Sequence, residues 1–112
     1  MIKAVVSSAA VSAFLMSSAL AEECKFDGKA PSMPDAQEAT AEDREAKISE
    51  IKEYQSGLNA YRECLTTIYE NAELEMEVRQ EALDTYNATI EKETKMVEAW
   101  QAFNQEYKEA NT

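Results

Sequence analysis

Apolar residues recur at helical spacing along most of this chain. Ile51, Leu58 and Leu65 stand seven apart, and Tyr54, Tyr61 and Ile68 follow each of them by three. This is the a/d stripe of a helix that packs on a partner helix. Thr40-Ala41-Glu42-Asp43 fits its start, with the Thr40 hydroxyl placed to accept from the Asp43 amide and early acids suiting the helix dipole. The spacing predicts a first helix from Thr40 to near Asn71, about 30 residues or roughly 45 Å at ~1.5 Å per residue.

A second stripe follows. Met76, Leu83, Ile90 and Val97 are spaced by seven, with Tyr86, Trp100 and Tyr107 at the paired positions. Glu93 and Asn104 interrupt it, while Met96 and Phe103 widen the apolar face. The predicted second helix runs from about Leu74 to about Lys108. A connection as short as Asn71 to Glu73 makes the two helices antiparallel neighbours. The expected fold class is all-α: an antiparallel, coiled-coil-like two-helix hairpin occupying residues 40–112.

The pattern before residue 40 is different. Both prolines, Pro31 and Pro34, and one of the two glycines, Gly28, lie there. Residues 22–39 therefore read as an extended strap rather than helix. Met1 to Ala21 reads as a secretory signal: Lys3 supplies a charge, an apolar stretch follows, and Ala19-Leu20-Ala21 has the small-x-small pattern of a cleavage site before Glu22. Serines interrupt that stretch, which falls short of the ~20 apolar residues of a spanning helix. The brief start Met1-Ile2-Lys3 favours a bacterial envelope, so the expected location is periplasmic or secreted. In that setting Asn87-Ala88-Thr89 is a chance match to a glycan acceptor.

Export gives the two cysteines a meaning. Cys24 and Cys64 can oxidise and stay oxidised outside the cytoplasm. One intramolecular pairing is possible, and bonding between two chains is the alternative. The 16 residues from Cys24 to Thr40 can span about 50 Å if fully extended. An internal bridge thus requires the strap to double back along the first helix. It would then lay Phe26, Met33 and the proline rings over part of the apolar face.

Charge narrows the partners. The chain has 22 acidic and 11 basic residues, a net charge of −11; cleavage after Ala21 removes only Lys3 and takes it to −12. Nucleic acid and anionic lipid would both be repelled, and no stable membrane insertion is expected after cleavage. Candidate chemistry is thin. With no histidine, the usual general base and transition-metal ligand are missing. The cysteines are not in Cys-x-x-Cys spacing, and there is no phosphate loop or nucleophile elbow. Glu73, Glu75 and Glu77 read as a solvated helix start rather than a Ca²⁺ loop. No catalytic, metal or cofactor residue is assigned, and an enzyme is not expected.

The landmarks resemble a family of small uncharacterised secreted helical proteins, mainly alphaproteobacterial. The residues that carry the resemblance are Cys24, Pro31-Ser32-Met33-Pro34-Asp35, Ala39-Thr40, Tyr61-Arg62-Glu63-Cys64-Leu65, Tyr86-Asn87 and Phe103-Asn104-Gln105-Glu106-Tyr107-Lys108. The middle, Asn71 to Glu77, departs from it in lacking turn-forming residues. That family has no assigned activity, so the resemblance implies compartment and architecture alone. Two helices bury only part of so broad an apolar face. At heptad spacing the aromatic series Tyr54, Tyr61, Tyr86, Trp100, Phe103 and Tyr107 reads first as hairpin core; the alternative is an interaction face of Tyr86, Met96, Trp100, Phe103 and Tyr107, for a protein partner or a second copy. The expected function is a non-enzymatic periplasmic or secreted interaction or adaptor protein; the alternative is a small periplasmic chaperone for unfolded clients.

Overall fold

The computed structural model describes residues 24–112; the expected signal segment and its cleavage point at Ala21–Glu22 lie outside the described residues. The described residues contain two helices and no strand. Helix α1 runs Ala41–Tyr69 (29 residues) and α2 runs Met76–Ala110 (35 residues). Thr40 caps α1 as expected: its hydroxyl accepts from the Asp43 amide at 3.1 Å, and the Asp43 carboxylate accepts from the Thr40 amide at 2.9 Å. Partners on α2 fall in number as α1 climbs, from Arg44–Asn104 through Gln55–Glu93 to Arg62–Thr89. The helices are antiparallel.

The turn works without glycine or positive φ. Asn71 supplies it: its side-chain oxygen accepts from the Glu73 amide at 3.0 Å, and its carbonyl accepts from the Leu74 amide at 3.1 Å. This is the asparagine side chain standing in for a backbone turn. Arg79 then reaches back from α2 and donates to the Tyr69 carbonyl at 3.1 Å. It satisfies one of the orphan acceptors at the end of α1, where no basic residue of that helix does so. Glu73, Glu75 and Glu77 are exposed around the start of α2, where their charge suits the dipole.

Cys24 and Cys64 form a disulfide with Cα atoms 5.5 Å apart. The strap therefore leaves α1 near its turn end and returns along it, as its length required. Phe26 lies against Tyr54 and Tyr61, with ring centroids 5.5 and 5.9 Å away. Gly57 makes the seat for that ring, since a Cβ there would stand 2.7 Å from the Phe26 edge. A mid-helix glycine costs about 1 kcal/mol relative to alanine, and here the backbone needs the room. Met33 packs on the core of Ile51, Tyr54, Leu58 and Met96. A turn at Asp35–Ala39, closed by the Ala39 amide donating to the Asp35 carbonyl at 2.9 Å, delivers the chain to the Thr40 cap.

The first helix has the expected seam: Ile51, Tyr54, Leu58, Leu65 and Ile68 are buried and Tyr61 is half-buried. The second does not. Its buried residues are Ala82, Thr89, Met96 and Phe103, again seven apart but one position before the expected Leu83, Ile90 and Val97. Met76 is 77% and Ile90 45% exposed, while Leu83 and Val97 are half-buried. One residue rotates a helix face by about 100°. The physical reason is size. Ala82 and Thr89 are small enough for close approach of the helices, and a count of large apolar side chains passes over them.

The disulfide closes a loop across 40 positions, for which chain entropy predicts roughly 4 kcal/mol. Cys64→Ser is expected to lower the melting temperature by more than about 10 °C and open the strap near Pro31 to proteolysis. Equal melting of the oxidised and reduced protein would contradict this.

Candidate functional site

The two flanks of the hairpin differ. On one, the strap covers the groove. It lies against Tyr54, Gly57 and Tyr61 of α1 and reaches the α2 side at Met96 and Ala99. In heptad terms these α1 positions sit on the d/g side of the seam, while Gln55 and Arg62 occupy e, on the opposite side. There the groove is bridged by polar side chains.

Arg62 is the centre of that bridge. Its guanidinium donates to the Thr89 hydroxyl at 2.8 Å, the Thr89 carbonyl at 3.2 Å, the Glu93 carboxylate at 2.5 Å and Asn59 at 3.1 Å. Gln55 adds a second donor to Glu93 at 3.1 Å. Thr89, buried in the seam, passes its own proton to the Tyr86 carbonyl at 2.6 Å. Every polar group is partnered, which is the condition for a largely buried ion pair to be tolerated. Thr89 thus belongs to the interior of the hairpin.

A second clasp closes the open end. The Arg44 Nε donates to Asn104 at 2.8 Å, and its guanidinium lies over the rings of Trp100 and Tyr107, 5.5 and 5.9 Å from their centroids. Trp100, Phe103 and Tyr107 stack in sequence at 5.5 and 5.8 Å. Cation–π contact and a hydrogen bond together fix one arginine from α1 on three α2 residues, Trp100, Asn104 and Tyr107.

This arrangement places each residue of the expected interaction face. Met96 and Phe103 are each 3% exposed and lie inside the seam. Tyr86 is half-buried and meets Tyr69 edge-on at 5.6 Å. Trp100 and Tyr107 are half-buried under Arg44. These five residues hold the hairpin together, and the uncovered apolar surface is elsewhere. It is the stripe first read as the seam: Met76 and Ile90, exposed, with Leu83 and Val97 between and beyond them. Ile90 and Val97, with Thr94 and Gln101, line a shallow cleft bounded by Glu93 and Glu98.

The clasp residues are the functional positions that apolar periodicity passes over. Glu93 and Asn104, which interrupt the second stripe, are the acceptors that Arg62 and Arg44 reach. The usable signal was polar complementarity: two arginines on α1, Arg44 and Arg62, and two polar breaks, Glu93 and Asn104, in the second apolar series. Comparison with protein-family models, curated proteins and solved structures finds no match to this chain.

Burial also acts on Tyr54. Its hydroxyl is raised above the ordinary pKa of 10.0, first by desolvation and then by the Glu93 charge, with Arg62 opposing. The unfolded chain ionises this residue at its ordinary pKa and the folded protein only above it. Stability from Tyr54 is therefore constant below pH 10.0 and declines as pH rises toward the folded value. Tyr54→Phe is expected to flatten that alkaline decline; an unchanged slope would place its origin elsewhere.

The Arg62–Glu93 bridge yields a sharper test. Glu93→Leu leaves a guanidinium whose side chain is 14% exposed without its counter-charge, and is expected to cost roughly 2 kcal/mol in urea unfolding. Adding Arg62→Leu should recover most of that loss, since Thr89 keeps its bond to Tyr86. Additive losses in the double variant would show that the pair is not coupled.

Proposed function

We propose that this protein is a non-enzymatic helical interaction module of the periplasm or secreted space, docking a protein partner on the outer stripe of α2. The observation that carries the reading is the exposed Ile90 beside Val97 and the acids Glu93 and Glu98. Glu98 gives the apolar strip an exposed acidic edge, Glu93 being engaged by Arg62 and Gln55, and this suits a helix with an apolar face and a basic flank. The disulfide supports an oxidising compartment. No helix among the described residues is long and apolar enough to cross a membrane.

The geometry favours an adaptor over the chaperone alternative. A client-holding chaperone needs a wide apolar cradle, and here the broad aromatic series is packed between helices. What remains is a narrow strip, better suited to one partner than to many sequences. Self-association through the same strip is a further way to cover it.

The test is photo-crosslinking in the native envelope from a probe replacing Thr94, which is exposed one turn from both Ile90 and Val97. One discrete adduct, lost on Ile90→Glu while the melting temperature holds, is the expected result. A ladder of many exported proteins would favour the chaperone reading instead, and an adduct of twice the chain mass would assign the strip to a second copy.

A further inference from the structure

The strap side of the hairpin holds a feature that the outer stripe does not use. Between strap residues 28–31 and α2 lies an open cleft of about 430 Å³. Its floor is apolar, made by Tyr54, Pro31, Met96 and Ala99. Its rim is cationic: Lys29 comes from the strap, and Lys92 and Lys95 come from one turn of α2.

This runs against the composition of the chain. Acids outnumber bases two to one, 22 to 11, yet no carboxylate lines this cleft. The neighbouring clefts all carry acid: one is lined by Glu50 and Glu53 together with Lys29, which stands between it and the lysine cleft, one by Asp27 with Lys25, and the one on the outer stripe by Glu93 and Glu98. The ion pairs among the described residues are Lys47–Glu50 and Arg62–Glu93, and neither uses these three lysines. Glu91 and Glu98 stand one turn from Lys95 on α2, outside the cleft lining. With three exposed lysines and no carboxylate along its lining, the cleft favours an anion over a cation on its apolar floor.

We propose that this cleft binds a small anionic amphiphile, a single-chain carboxylate. Its head is held by Lys29, Lys92 and Lys95, and its apolar chain lies on Tyr54, Met96 and Ala99. The volume is near the lower end of the ~300–1,000 Å³ range of ligand sites, which suits one short chain rather than a two-chain lipid. A membrane surface is the less favoured source of the same chemistry, because a chain of net charge −11 is repelled by anionic bilayers. The ligand site is independent of the outer stripe, so it stands or falls apart from the partner-docking reading.

Decanoate, kept below its micelle concentration, is the probe, added to the oxidised protein and followed by amide NMR shifts. The expected result is saturable shifts confined to residues 28–31 and 92–99. Acetate, with charge but no chain, and decanol, with chain but no charge, should each bind more weakly by about tenfold, or ~1.4 kcal/mol. Lys92→Gln with Lys95→Gln should weaken decanoate binding by a similar factor at unchanged melting temperature, while Lys52→Gln should not. Absence of saturable shifts would overturn the proposal, leaving the lysines as a solvated rim. Decanol binding as well as decanoate, or indifference to the paired lysine substitution, would overturn it in favour of a plain apolar patch. Binding to phosphatidylglycerol vesicles but not to decanoate would overturn it in favour of a membrane surface.

Discussion

A pair of helices can bury only the stripe where they meet, and everything else in this structure answers that limit. Two grooves flank the seam, and each exposes ring edges and aliphatic carbons unless something lies over it. The chain closes the two by different means. On the d/g side it lays down its own N-terminal segment, with Phe26 and Met33 half-buried against the first helix and the core. The entropy of holding so extended a segment is offset by Cys24–Cys64, which removes freedom from the unfolded chain instead of adding contacts to the folded one. Gly57 belongs to the same solution, because it gives up helix propensity to admit the Phe26 ring.

On the e side, and at the open end, the solution is electrostatic. Arg62 at e, and Arg44 seven residues before Ile51, span from α1 to α2 acceptors, their aliphatic stems and flat heads covering apolar carbon beneath. Arginine suits this position because one planar group reaches several acceptors and still stacks on rings. A lysine has three donors but all on one point-like nitrogen, so it could not reach acceptors spread as these are and would leave the Trp100 and Tyr107 faces less well covered. The polar clasps also restrict register. Sliding α2 by one turn would bring apolar residues past one another at little cost, but it would strand Arg62 away from Glu93 and Thr89.

Much of this was legible in the residues. The Thr40 start, the antiparallel pairing, the first seam and the backward run of the strap follow from spacing, capping chemistry and chain length. The phase of the second seam did not, and the reason is specific. Met76, Leu83, Ile90 and Val97 form a conspicuous heptad series, whereas the buried series contains Ala82 and Thr89, which carry little hydrophobic weight. Periodicity reports that a helix is two-faced; it does not say which of two adjacent stripes meets the partner. The polar residues held that information. Glu93 and Asn104 lie four residues after Thr89 and Trp100, and pairing them with Arg62 and Arg44 selects one rotation. An interruption in an apolar series is thus better treated as a candidate contact than as a defect. The lysine cleft was hidden for another reason, since Lys29 joins Lys92 and Lys95 only once the strap has folded back.

The two surfaces left free depend on the fold in different ways. The outer stripe is presented by α2 alone, held in orientation by the seam behind it. Its exposed members, Met76 and Ile90, lie outside the seam, whereas Val97 packs on the core of Ile51, Tyr54, Leu58 and Met96. The cleft, by contrast, exists only while the strap is in place, because Lys29 and Pro31 form one wall. The strap's placement rests in turn on Phe26, Met33 and the disulfide. Breaking the disulfide would therefore remove one of the strap's three holds on that wall, whereas the stripe on α2 is lined by no strap residue. The disulfide thus bears on one of the two surfaces and not directly on the other.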